Sequence, residues 1–247
     1  KKILSKLKYP EIKLIVTGSS GKGSTAKLIN DVLTDQGYCT CFNNAGSNLK
    51  YGVTTTCIKN CNLFGKIKKD VLILEVDERY TKEVFAEINP NYLIVTNLTK
   101  DQPPRQYHVD VILSEIEKKL PKDTMVITTM DEPYLRHFEL DVPNKNIHFG
   151  IAKSKYTYQH QLFENLNTYY CPKCGAKLKY DYYHFETLGK YNCPNCDFKW
   201  EEPLVLGNTL DLEEGTIVVN NKKVSIGGDM LFNAYNTLAS FTFLKEI

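Results

Sequence analysis

The amino-acid sequence predicts an α/β fold, a doubly wound and mostly parallel sheet interrupted by one small inserted module. Three observations carry that expectation. Short apolar runs alternate with helical stretches through the first half, several of those runs are apolar at nearly every position, and the alternation stops at a segment holding two closely spaced cysteine pairs. Strands buried on both faces need near-continuous apolar sequence, and repeated βα units place helices on both sides of a parallel sheet.

The first run, Ile12–Thr17 (IKLIVT), is β-branched and leads through a Gly/Ser loop into a helical stretch at 22–36, which Gly37 is placed to end. A second strand is expected at 38–42 and a third, almost wholly apolar, at 71–76 (VLILEV). A helix at 81–88 precedes the breaker Asn89-Pro90, and YLIVT at 92–96 is the next buried strand. A helix at 109–120 stops at Pro121, a strand follows at 124–128, and a short helix comes before Pro143. From Leu204 the strands resume as an expected antiparallel set, with Thr216–Val219 and 223–226 flanking the hairpin signal Asn220-Asn221. An apolar helix at 233–244 closes the chain.

Composition narrows the class. Hydrophobic residues at 42% and charged residues at 24% are ordinary for a globular protein, and a net charge of +2 over 247 residues points to neither a nucleic acid nor a membrane surface. Lys1 to Lys8 is basic but too short and too broken by lysine for a signal peptide, and no run approaches a membrane span of about 20 apolar residues. The expected location is the cytoplasm. Cys39, Cys41, Cys57 and Cys61 sit in or near β-rich runs and are expected to be buried free thiols, with a second metal site as the competing reading.

The loop after the first strand reads Thr17-Gly18-Ser19-Ser20-Gly21-Lys22-Gly23-Ser24-Thr25. Glycines let the backbone turn its N–H groups towards an anion, and the following helix N-terminus adds a favourable dipole. Lys22 is placed to reach β- and γ-phosphates, and a hydroxyl of Ser24 or Thr25 to ligate Mg²⁺. The strict Walker spacing is not met: Val16 stands where its first glycine belongs, and Gly23 follows the lysine directly. A flexible Gly/Ser turn that happens to contain lysine is the competing reading.

Glu75, Asp77 and Glu78 lie at the carboxyl end of the third strand, the edge where open parallel sheets bind ligands. Glu75 is the favoured Mg²⁺ ligand, because it sits inside an apolar run and a buried charge needs a partner. A solvated acidic turn is the alternative. In the inserted segment, Cys171, Cys174, Cys193 and Cys196 give C-x₂-C-x₁₈-C-x₂-C, the spacing of a structural zinc ribbon. No helix-starting CxxC after a strand is present to suggest redox chemistry. Tyr180, Tyr182, Tyr183, Phe185 and Trp200 are read as the ribbon's core, though in such a module they could also stack on bases.

These motifs resemble the Mur ligase and folylpolyglutamate synthase superfamily, whose phosphate loop has the form G-[TS]-x-G-K, and within it the MurT family. Glu75-Val76-Asp77-Glu78 resembles the MurT pattern E-[IV]-D-E, Asp101-Gln102 replaces the more common Asp-His, and the Cys₄ insert is the trait that separates MurT proteins from ordinary Mur ligases. The stretch from Asn43 to Asn48 resembles a family loop beside the γ-phosphate, bringing Asn44 into the expected nucleotide site. The stretch from Gly227 to Asn236 resembles the G-D-x-N-x-x-N that opens the family's last central-domain helix, with Asn233 and Asn236 on one face towards the base. Asp131-Glu132-Pro133 is similar to the D-D-P turn near the ribose.

The resemblance implies a central ATP-binding domain over residues 1–160 and 203–247, a zinc-ribbon insert over 161–202, and no C-terminal ligase domain in this chain. It implies ATP, Mg²⁺ and Zn²⁺, with Lys22 on the γ-phosphate, Ser24 and Glu75 on Mg²⁺, and Gly18 through Thr25 around the phosphates. The implied reaction is ATP-dependent amidation of the D-glutamate α-carboxylate of lipid II, using ammonia from a GatD-like class I glutaminase. This chain alone is then expected to bind nucleotide without forming product. Two alternatives stand beside it: a folylpolyglutamate synthase-like ligase with an amino acid acceptor, favoured by Gly21-Lys22-Gly23-Ser24-Thr25, and a zinc-ribbon nucleic-acid module on a degenerate ATPase.

Overall fold

A computed structural model describes residues 2–43, 46–98, 109–161 and 170–247, the side chains of residues 109 and 110 excepted. Among them, five strands make the predicted parallel core: β1 (Ile12–Thr17), β2 (Thr40–Phe42), β3 (Val71–Glu75), β4 (Tyr92–Val95) and β5 (Met125–Thr129). The apolar pattern predicts no strand at β6 (Asn146–Ile151), where His148 and Gly150 interrupt the apolar run. The insert contributes a separate hairpin, β7 (Lys179–Phe185) and β8 (Leu188–Asn192). β9 (Val205–Asp211), β10 (Thr216–Val219) and β11 (Lys222–Ser225) complete a sheet of order β11-β10-β9-β6-β5-β4-β1-β3-β2.

The expected antiparallel set after Leu204 is corrected at its first member. β9 pairs parallel with β6, and the direction reverses only at β10 and β11. β9 can extend the parallel sheet because the insert carries the chain back to the edge from which β6 started, as a crossover must. At the β10–β11 turn Asn220 and Asn221 both have positive φ, 49° and 61°, as a two-residue turn matched to strand twist requires.

Helices cover both faces. They are α1 (Lys22–Asp35), α2 (Lys50–Asn60), α3 (Thr81–Phe85), α4 (Val109–Lys119), α5 (His137–Asp141) and α6 (Leu231–Glu246). No sequence pattern announces α2, whose Thr54-Thr55-Thr56 run disfavours helix; the Thr54 and Thr55 hydroxyls donate back to the Lys50 and Tyr51 carbonyls. Successive residues of one strand feed opposite cores. Leu72, Leu74 and Leu93 pack with Val84 and Ile116 on one face, while Ile73 and Ile94 pack with Ile29, Leu238 and Phe243 on the other. That division explains why the strands read as unbroken apolar runs. Of the four cysteines outside the insert, Cys41 and Cys57 are buried as expected, but Cys61 is half-buried and Cys39 is exposed.

The parallel strands β1, β3, β4 and β5 all finish at one edge, at Thr17, Glu75, Val95 and Thr129. The loop into α1 starts there, and α6 packs along α1.

Candidate active site

The loop between β1 and α1 is held by the end of β4. Ser19 N donates to Asn97 O at 2.9 Å, Ser20 N to Asn97 Oδ1 at 3.0 Å, and Asn97 Nδ2 returns a bond to Ser20 O at 2.9 Å. Thr96 Oγ1 donates to Ser20 O at 2.6 Å. Gly18 (φ 136°) runs so close to Thr96 and Asn97 that any side chain would collide with them. In the sequence Thr96 and Asn97 mark only a strand end; their pairing across nearly 80 residues reveals a brace.

Lys22 opens α1 and folds back over its own loop, its Nζ donating to Gly18 O at 2.8 Å. Glu78 Oε2 faces it at 3.7 Å, both side chains being largely buried. This Glu78 oxygen accepts no hydrogen bond among the described residues, and burial raises the carboxyl above the usual range against the opposing pull of Lys22. The neighbouring Asp77 is different. Burial pushes it up, but the fork of Arg79, with Nε at 2.8 Å and Nη2 at 2.6 Å, outweighs that and holds it below its ordinary value.

Glu75 stands on the other side of the α1 terminus. A Cβ on Gly23 would lie 3.1 Å from its Oε2, so the carboxylate borders the first helical turn. Its Oε1 accepts from Asn48 Nδ2 at 3.0 Å, and buried Asn43 clamps its backbone with two 2.7 Å bonds. Asn43 and Asn48 thus both hold the tip of β3. Asn44 itself, like Asp101 and Gln102, lies outside the described residues.

A cavity of about 230 Å³ opens between the loop and α6. Ser20, Gly21 and Ser24 border it from the loop, Asn236 and Phe232 from the helix, and Glu132 and Leu188 also line it. Thr25 is buried behind the loop and donates to Asn236 Oδ1 at 3.3 Å, so Asn236 sits against the 18–25 loop. Asn233 is not among the residues that border the cavity; its amide fills the space over Gly228. The Gly/Ser loop and the apolar side chains of Phe149, Leu188, Phe232 and Ala239 thus border one cavity, while Lys22, Glu75 and Glu78 are not among its lining residues.

Glu132 accepts from Tyr134 N at 3.2 Å and from the Thr187 hydroxyl at 2.6 Å. Burial is the main cause that lifts its carboxyl to about 7, with the Thr187 bond pulling down and the charges of Glu186 and Asp131 pushing up. Asp131 does not reach the cavity. It is fully buried and takes hydrogen bonds from Trp200 Nε1, Tyr235 OH and Ile151 N, each at 2.8 Å.

In the insert, the Sγ atoms of Cys171, Cys174, Cys193 and Cys196 lie within 4.8 Å of one another. Four thiolates at about 2.3 Å from a tetrahedral zinc stand roughly 3.8 Å apart, so the cluster fits one structural ion with no open position. Tyr191, Phe198, Leu178 and, at the margin, Tyr180 and Trp200 pack beneath it. Phe185 instead meets Phe232 of α6 edge to face, so the aromatic core expected within the ribbon is shared with the main domain, while Tyr182 lies edge-on to His184 within β7.

A family model described as the Mur ligase middle domain matches residues 16–196. The lipid II isoglutaminyl synthase (glutamine-hydrolyzing) subunit MurT of Staphylococcus aureus (strain COL) is 27% identical over 238 residues, 95% of this chain and 52% of that protein. The same subunit of Streptococcus pneumoniae (strain ATCC BAA-255 / R6) is 28% identical over 259 residues, 94% and 52%. The chain spans about half the length of the curated relatives it matches. Among solved structures, a pseudomurein peptide ligase type C from Methanothermus fervidus superposes with a TM-score of 0.75 at 21% identity, covering 99% of this chain and 48% of that one. The MurF ligase from Thermotoga maritima in complex with ADP gives 0.60 at 15%, covering 96% and 46%. Both show the shared fold.

Proposed function

This chain belongs to the Mur ligase family through a domain of its middle type, and from that premise we propose that it binds Mg²⁺-ATP in the cavity between the 18–25 loop and α6. The observation that carries the reading is the meeting of three elements at one sheet edge: Lys22 at the head of α1, Glu78 3.7 Å from it, and Glu75 over Gly23. Lys22 would neutralise the β- and γ-phosphates in place of its present loop carbonyl. The loop from Gly18 to Thr25 would cradle them, with Asn236 fixing the loop's last turn. Ser24 and Glu75 offer the hydroxyl and carboxylate oxygens that a hard Mg²⁺ prefers. Magnesium there would supply charge neutralisation for phosphoryl transfer.

Within a longer protein resembling the MurT relatives, this domain would serve amidation of lipid II. Attack of the D-glutamate α-carboxylate on the γ-phosphorus releases ADP and leaves an acyl phosphate. Ammonia from a GatD-like glutaminase then displaces phosphate, giving D-isoglutamine. The chain's part is to hold and orient the triphosphate and to keep its charge balanced. The Cys₄ cluster fits zinc in a supporting role.

Calorimetric titration with Mg²⁺ and the β,γ-imido analogue of ATP tests the nucleotide reading. Saturable one-to-one binding that Lys22→Met abolishes supports it; no binding by the native chain refutes it. The amidation reading is tested with the full-length protein, lipid II and glutamine, where ATP-dependent isoglutamine must appear only when the glutaminase is present.

A further inference from the structure

The hairpin of the insert packs against the main domain and does not stand apart from it. Leu188, at the start of β8, packs into the same core as Phe149, Tyr235 and Leu238, and it borders the cavity beside Glu132. Thr187, one residue earlier at the hairpin turn, donates its hydroxyl to Glu132 Oε2 at 2.6 Å. Gly189 N donates to Asp131 O at 2.9 Å, and Phe185 meets Phe232, another cavity residue.

The same hairpin runs directly to the metal cluster. β8 ends one residue before Cys193, and Tyr191, its penultimate residue, stacks on Phe198 with ring centroids 5.5 Å apart. Tyr191 OH reaches Met130 O at 3.1 Å, and Arg136 binds both Tyr191 OH at 3.3 Å and Lys199 O at 2.9 Å. A module this small has too little apolar surface to hold its fold without the metal. Thr187 and Leu188 are thus joined to the four cysteines through one short strand.

We infer that the zinc insert supplies one wall of the nucleotide pocket, Leu188 lying against the base and Thr187 fixing Glu132, so that metal loading and nucleotide binding are thermodynamically coupled. The inference deepens the reading of this cavity as an ATP site and rests on it. Coupling is reciprocal: a chain without metal binds nucleotide more weakly, and bound nucleotide slows loss of the metal. Because Leu188 and Glu132 border the cavity and Lys22 and Glu75 do not, the effect is expected on the nucleoside and not on the phosphates.

Two ligands separate these parts. Zinc-loaded chain is titrated with Mg²⁺ and the β,γ-imido analogue of ATP, and in parallel with Mg²⁺ and inorganic tripolyphosphate. Leu188→Ala should weaken the analogue about tenfold, equal to about 1.4 kcal/mol, and Thr187→Val about threefold, with tripolyphosphate affinity unchanged in both. Stripping the metal with a zinc-selective chelator in excess Mg²⁺ should weaken the analogue at least tenfold, and the analogue should slow chelator-driven zinc release. Equal analogue affinity in native, variant and stripped chain overturns the inference. Equal weakening of both ligands by Thr187→Val, at full zinc content, also overturns it; should Leu188→Ala fail to retain zinc, Thr187→Val decides alone. A native zinc-loaded chain that binds neither ligand overturns instead the reading of the cavity as an ATP site.

Discussion

A Cβ on Gly23 would stand 3.1 Å from Glu75 Oε2, so the glycine that breaks the common phosphate-loop pattern is the residue that admits the β3 carboxylate to the first turn of α1. Gly23→Ala tightens that contact while improving helix propensity by about 1 kcal/mol. We expect Mg²⁺-dependent nucleotide affinity to fall about 3- to 10-fold, up to about 1.4 kcal/mol, with thermal stability unchanged or raised. Titration calorimetry beside a melting curve checks the two together, and a variant that loses both would contradict this account of the glycine.

Glu132 should make stability depend on pH. Its folded-state value of about 7 lies above the ordinary carboxyl value, so the native chain holds a proton that the unfolded chain has released. That contribution is intact below the unfolded value and fades as pH rises through about 7. Glu132→Gln, which carries no charge, should flatten the decline between pH 5 and 8 by an amount of order 1–3 kcal/mol. Denaturant titrations of both proteins at several pH values measure it.

Asp131 joins three parts of the fold: β6 through Ile151, the insert through Trp200, and α6 through Tyr235. Asp131→Asn keeps the volume but turns an amide donor towards groups that are themselves donors. A loss of about 2–4 kcal/mol in unfolding free energy is expected, because a buried donor is left without an acceptor. A loss below about 1 kcal/mol in urea unfolding would show that the hub is less tightly bound than its 2.8 Å contacts imply.

Removing a metal ligand should act locally. Cys196→Ser should reduce zinc content well below one per chain and release amide protection across 171–200, while the protected core of β1, β3 and β4 persists. Chromogenic zinc assay with hydrogen exchange distinguishes this from global unfolding, which would show exchange rising in β3 as fast as in β8.

Much of this was legible in local sequence. The apolar runs of β1, β3, β4 and β5, the Gly/Lys loop and the spacing of the four cysteines are each a pattern within one short stretch. Such patterns reflect local constraints: burial on both faces, a backbone turned towards an anion, and two thiolates per knuckle. Where the pattern was interrupted, as at His148 and Gly150 in β6 or the threonines of α2, sequence reasoning failed because tertiary packing overrode weak local preference.

The site's partners were another matter. That Glu78 faces Lys22, that Asn97 braces Ser20 and that Thr187 reaches Glu132 are pairings across tens of residues, with no periodicity to announce them. By itself the sequence determined which chemical groups the chain owns and which short segments carry them. Only the tertiary structure decided which of those groups meet, because the order of strands in the sheet and the docking of the insert bring together residues that the chain keeps far apart.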